Sequence, residues 1–295
     1  MKSFVLYCKS YRTDLKRVVR LADSIRRYNV DRIPFYISVP QTDMALFQEH
    51  LQGLDVELLT DESIIARNPH IDPARLAGMV GSLSQQIVKS EFWRTDIAVA
   101  YMCLDSDCIF IRPFRVQEFI TAEGIPYTVM DEGRDLFYPV LSRGKTKVIE
   151  DFHRESMEVQ QAFGRHGKHY NYGPNCPIWD RRVWASLDQH YARPAGLSFL
   201  DLVLRSGNEQ RWYGEALLKY RAIDLLPSQP FFKMYHYAWQ QRFDKRLGIQ
   251  EQQLERLYCG VVYQSAWERE MDWPSEGGNW LSHLGRRVRR VLNRA

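Results

Sequence analysis

Short apolar runs alternate with amphipathic stretches through the first hundred residues, and no other feature restricts the fold as much. Phe4 to Cys8 is rich in strand-forming residues and ends in a polar tip, Lys9-Ser10-Tyr11-Arg12. Thr13 or Asp14 is placed to cap a helix in which Leu15, Val18, Val19, Ala22 and Ile25 recur at helical spacing beside basic residues. The pattern repeats: a strand over Pro34 to Val39, a helix over Asp43 to Leu51, and a strand over Val56 to Leu59 followed by an Asp61-Glu62 turn. Ser82 to Arg94 reads as a helix and Ala98 to Leu104 as a deeply buried fourth strand. Strand and helix in alternation predict an α/β fold, a largely parallel sheet covered by helices on both faces.

Beyond residue 115 the pattern loosens. Cys108 to Ile111 resumes as a strand, Val116 to Ala122 reads as helical and Tyr127 to Met130 as a strand. Lys147 to Phe163 is amphipathic, and Gly164 to His169 is a Gly/His-rich loop. Phe199 to Leu204 and Gly214 to Tyr220 are helical candidates, and Ala222 to Leu226 is strand-like. With no internal repeat and no Gly/Ser/Pro-rich linker, one continuous domain with a C-terminal appendage is the simplest organisation.

A chain of 295 residues, 45% hydrophobic and 26% charged, can bury a large core, and a net charge of +4 is too mild for a nucleic-acid binder. The five cysteines form no C-x-x-C pair and leave one over in any disulfide scheme, so a reducing compartment and buried thiols are expected. The N-terminus turns polar within a few residues, unlike a signal peptide, and no apolar run approaches the ~20 residues needed to span a bilayer. A cytoplasmic protein is the expectation.

Asp105-Ser106-Asp107 directly follows the fourth strand and is the one D-x-D in the chain. Open α/β sheets bind ligands at the carboxyl ends of their strands, so two carboxylates there are well placed for chemistry. Hard oxygen ligands suit Mg²⁺ or Mn²⁺, which usually completes its shell with water and substrate phosphates. The alternative is a solvated turn that caps a strand end.

Phe4 to Ser10, the helix carrying Gln85, Gln86 and Lys89, and Leu104-Asp105-Ser106-Asp107 together resemble the nucleotide-sugar-binding half of GT-A glycosyltransferases, over about residues 3 to 240. The similarity points towards bacterial members from surface-polysaccharide clusters. It implies a Rossmann-like GT-A domain with a nucleotide-sugar half at 1–115, an acceptor half at 116–240, and a helical appendage at 241–295. By the same resemblance Asp105 and Asp107 bind Mn²⁺ or Mg²⁺, which bridges a nucleotide diphosphate, with a UDP-sugar as the expected donor. Lys9, Ser10 and Tyr11 would then hold base and ribose. A snorkelling lysine on an ordinary loop is the alternative for Lys9.

Gln85 and Lys89 are i,i+4 neighbours that, with Gln86, are spaced to meet donor hydroxyls or phosphate; a solvated helix face is equally compatible. Tyr170 to Asp180 is a shaped loop whose Asn171 and Asn175 suit sugar hydroxyls, or else a turn packed by its own aromatics. Glu215 resembles the acid that many inverting GT-A enzymes use as a general base, although an acid near a helix start also compensates the helix dipole. His236 matches the late histidine that completes the metal site in several GT-A families; a structural histidine is the alternative. His166 and His169 offer too few ligands for zinc.

From Asn279 onwards, Trp280, Leu284, Val288 and Val291 follow helical spacing among five arginines, which suits residues 280–294 to an anionic membrane surface or to docking on the domain. The leading expectation is sugar transfer to a glycan or lipid-linked acceptor, peripheral to the inner face of the cytoplasmic membrane. Two other functions fit the same features: a sugar-1-phosphate nucleotidyltransferase, disfavoured because Lys9 to Arg12 contains no glycine, and a non-catalytic scaffold that binds glycan or membrane.

Overall fold

The computed structural model describes residues 1–142, 144–173 and 176–264. Asn175 and the basic segment 280–294 lie outside the described residues. The strands are β1 (Lys2–Lys9), β2 (Phe35–Val39), β3 (Glu57–Thr60), β4 (Ala98–Leu104), β5 (Cys108–Phe110), β6 (Tyr127–Val129), β7 (Ile178–Asp180), β8 (Leu226–Ser228), β9 (Phe232–Tyr235) and β10 (Gly260–Tyr263).

The main sheet has the order β3-β2-β1-β4-β7, with four parallel strands and β7 antiparallel to β4. Side chains alternate across a strand, so β1 divides between two cores: Val5 and Tyr7 enter one, Phe4, Leu6 and Cys8 the other. Strands buried on both faces read as continuous apolar runs, which is why β1 and β4 stood out in the sequence. The helix Leu15–Tyr28 buries Val18, Leu21, Ala22 and Ile25. Val18, Leu21 and Ile25 each contribute roughly 1.5–3 kcal/mol by leaving water. Asp14 precedes this helix as foreseen, but its carboxylate pairs with Arg17 Nη1 at 2.6 Å and makes no cap hydrogen bond.

Asp61 and Glu62 open a short helix, Asp61–Ile65, capped by Thr60, whose hydroxyl accepts from Ser63 N–H. The helix predicted over Val116 to Ala122 contracts to a single 3-10 turn, Val116–Glu118, because Arg115 and Val116 N–H are tied off by Glu118 and Asp31 carboxylates. The helix foreseen from Gly214 begins earlier, at Glu209, where Asn208 supplies the cap.

A three-stranded sheet, β5-β10-β9, changes the reading of the C-terminal part. Residues 241–264 are no appendage: β10 inserts between β5, antiparallel, and β9, parallel. Gly260 permits it, since a Cβ there would lie 2.0 Å from the Phe232 ring and 2.5 Å from the Ile109 carbonyl. All five cysteines are buried, as expected. Among the described residues no helix is long and apolar enough to cross a membrane.

Candidate active site

Register brings the predicted residues to one edge of the main sheet. Lys9 pairs with Ser38, Val39 with Thr60, and Cys8 with Leu104, so Ser10, Asp61 and Asp105 all emerge just past aligned strand ends. This is the carboxyl edge where open α/β sheets take ligands.

Lys9 is mostly buried, with Nζ 3.1 Å from Asp61 Oδ2 and 3.0 Å from the Ser10 carbonyl. Its ammonium also lies 5.7 Å from the ring of Tyr11, which is 39% exposed. Ser10 is buried and its hydroxyl has no hydrogen-bond partner among the described residues, as is also true of Asp61 Oδ1. Burial raises the Asp61 pKa despite the opposing pull of Lys9 and Ser38. Unsatisfied buried polar atoms are costly and call for an explanation, and a polar ligand at this tip supplies one. The sequence reading missed Asp61 because an acid in a turn has a ready solvated explanation; its place after a parallel strand was the available signal.

Lys89 projects from the helix Gly81–Glu91, and its Nζ lies 2.5 Å from Asp105 Oδ1. The Lys89 side chain is 8% exposed and that of Asp105 29%. Burial pulls the Lys89 pKa down, but Asp105, Cys103 and Glu209 more than reverse this and hold it well above the usual lysine range. Glu209 is buried too, and burial raises its pKa against the attraction of Lys89. Lys89 is therefore neither a solvated helix residue nor a lone phosphate ligand. It is an internal cation between acids from two elements. Gln86 donates to the Ser82 carbonyl at 3.0 Å while its own buried side-chain oxygen has no partner among the described residues; Gln85 is half-buried on the same helix.

Asp107 is 4% exposed, and its carbonyl accepts from Tyr263 N–H at 3.0 Å, fastening the acidic turn to β10. Tyr263 in turn pairs with Tyr235, the last residue of β9, so His236 lies two strands from Asp107, about 10 Å by backbone spacing. Burial lowers the His236 pKa to about 4, with Lys233 acting in the same sense and Asp135 against it. The imidazole is neutral at neutral pH, the form that binds metals. Among the described residues, however, no three His, Cys, Asp or Glu side chains are arranged to hold a metal, so His236 is not gathered with Asp105 and Asp107 into a closed set. The acidic pair itself fits a hard divalent ion that takes its other ligands from phosphate and water: both donors are carboxylates, and the Lys89 ammonium already sits at Asp105 as a cation.

Glu215 differs from its expected role. It is 1% exposed, and both oxygens are occupied: Arg165 Nε and Nη2 each donate at 2.6 Å, and Tyr172 OH donates at 2.8 Å. A general base needs an accessible lone pair, and none of this carboxylate's contacts provides one without opening a bidentate pair. Glu215 instead anchors the loop. Tyr172 lies directly over Gly214, where a Cβ would come within 2.2 Å of the ring. Asn171 is buried, exchanging backbone hydrogen bonds with Asp131 at 2.7 and 3.1 Å. The same loop reaches β4 through Pro177, whose carbonyl accepts from Cys103 N–H at 2.8 Å.

This architecture, a Rossmann-like parallel sheet with an antiparallel β7 and an acidic turn after β4, is the GT-A glycosyltransferase fold. The galactosyltransferase LgtC, solved with donor and acceptor sugar analogues, matches at a TM-score of 0.53 and 12% identity, with 92% of each chain covered. An active-site mutant of LgtC matches at 0.51 and 12%, again over 92% of each. The chain belongs to a family described as a family of unknown function, DUF6492, whose profile matches residues 3–191. No curated protein matches it in sequence.

Proposed function

We propose that this protein is a glycosyltransferase that moves a sugar from a nucleotide-diphosphate donor, a UDP-sugar, to a glycan or lipid-linked acceptor. The observation that carries this reading is the Asp105–Lys89 pair, with Asp107 beside it, at the carboxyl edge of a GT-A sheet. Asp105 and Asp107 hold a divalent ion, Mn²⁺ or Mg²⁺, which when bound supplies Lewis-acid stabilisation to the departing diphosphate. Lys89 orients Asp105 and adds positive charge where the leaving group gathers negative charge. Ser10, Lys9 and Asp61 meet the nucleoside, their unsatisfied oxygens pairing with its polar edge, while Tyr11 offers a ring for stacking. Gln86, with Gln85, faces the donor, and Asn171 belongs to the loop that shapes the sugar side.

In the transfer, the bond between the anomeric carbon and the diphosphate breaks, the acceptor oxygen forms the new glycosidic bond, and its proton is released. Glu215 sets the loop rather than taking that proton. A role in surface polysaccharide synthesis, with 280–294 on an anionic membrane, follows from the same reading.

The test is UDP release from a panel of UDP-sugars with Mn²⁺ present. Turnover by the wild type and its loss in Asp107→Ala support the assignment. Full metal-dependent turnover in Asp107→Ala refutes it.

A further inference from the structure

We propose that the cleft between the helices Arg134–Leu141 and Lys147–Ala162 and the loop at Lys168–His169 binds an anionic saccharide, an acceptor sugar bearing a carboxylate or phosphate. This rests on the glycosyltransferase reading for the word acceptor and on the cleft alone for the chemistry.

The cleft encloses about 310 Å³ and is lined by Glu132, Arg134, Phe137, His153, Lys168 and His169. That is the lower end of the range for small-molecule sites and suits one or two sugar rings. Its walls are flat: His153 and His169 stack at 5.0 Å between ring centres, and Phe137 meets His153 edge-on at 5.6 Å. His169 is held by Ser156 Oγ at 3.0 Å, and burial, followed by His153, lowers its pKa, so it offers a neutral ring at neutral pH. Flat ring faces suit the C–H surface of a pyranose.

Charge selects the ligand. Glu132 is shared by Lys168 at 2.6 Å and Arg134 at 3.2 Å, one carboxylate between two cations. Both cations are mostly exposed, so an incoming anion can recruit either while Glu132 keeps the other.

Position ties the cleft to the donor edge. Glu132 follows Asp131 directly, His169 lies two residues before Asn171, and Asp131 and Asn171 are paired through their backbones. From Asn171 the loop runs on to Pro177 beside β4, two residues before Asp105.

Saturation-transfer NMR on the full chain, with UDP and Mg²⁺ saturating the nucleotide edge, compares methyl glucuronide, glucose 6-phosphate and methyl glucoside. The glucuronide, the phosphate or both should bind at least tenfold more tightly than the neutral glucoside. Lys168→Glu and Arg134→Glu should each erase that preference with UDP affinity unchanged, and Phe137→Ala should weaken all three sugars. Equal binding of charged and neutral sugars, no binding of any, or an unchanged preference in both charge variants overturns the proposal. Failure of UDP to bind in the same samples instead refutes the glycosyltransferase reading.

Discussion

Two carboxylates in this protein are each held by a cation, and they are held differently. Asp105 stands on the rim of the sheet, 29% exposed, with the Lys89 ammonium at one oxygen. Glu215 is buried under a planar guanidinium that engages both oxygens, with a tyrosine hydroxyl added. A point charge on a flexible stem yields to an arriving ligand at little geometric cost, whereas a bidentate fork resists exchange. The contrast separates a carboxylate placed to change partners from one that holds a loop in shape.

The largest effect is expected where the locked carboxylate is removed. Glu215→Ala strands the part-buried Arg165 charge and the Tyr172 hydroxyl and should cost about 3–5 kcal/mol, read as a lower denaturation midpoint with an unchanged slope. A loss below about 1 kcal/mol in that variant would break the comparison.

Next comes acid sensitivity. His236 has a folded-state pKa of about 4, set first by burial, against the ordinary 6.5. As pH falls below 6.5 the unfolded chain takes up this proton first, so stability should decline between about pH 6.5 and 4, by roughly 3 kcal/mol from this group. His236→Asn should flatten the part of that decline that comes from this residue in a pH series of chemical denaturation; an identical slope in the variant would place the acid sensitivity elsewhere.

Smaller effects sharpen the same contrast. Tyr172→Phe removes one of three donors to Glu215 and should cost about 1.5 kcal/mol, since Arg165 still satisfies the charge. Lys89→Met should cost about 1 kcal/mol, because Asp105 can rehydrate whereas the buried Glu209 loses the attraction of Lys89. It should tighten Mn²⁺ binding in the absence of nucleotide by about tenfold, as a competing cation leaves the carboxylate. Weaker Mn²⁺ binding in that variant would make Lys89 a support of the metal site rather than its competitor.

How much of this was legible in the sequence follows from what each region buries. β1 and β4 are covered on both faces and show as unbroken apolar runs, so the parallel half and the place of Asp105 could be read directly. β7 and β10 are only three and four residues long, and their pairing is non-local, so no periodicity announces them. The Arg165–Glu215 contact spans fifty positions and is invisible to spacing rules, which left Glu215 looking like any acid near a helix start. Lys89 could be placed on the right face, but its partner depended on how a helix packs over a sheet. The role of Asp61 became visible only when register placed it beside Lys9.

The central claim, that Asp105 and Asp107 hold a nucleotide diphosphate through a divalent ion, is tested most directly by calorimetric titration of UDP into the full chain with and without Mn²⁺, alongside Asp107→Asn. The account predicts UDP binding that requires Mn²⁺ and weakens at least about tenfold, or 1.4 kcal/mol, in the variant. UDP binding of equal affinity without metal, or unchanged in Asp107→Asn, would contradict it.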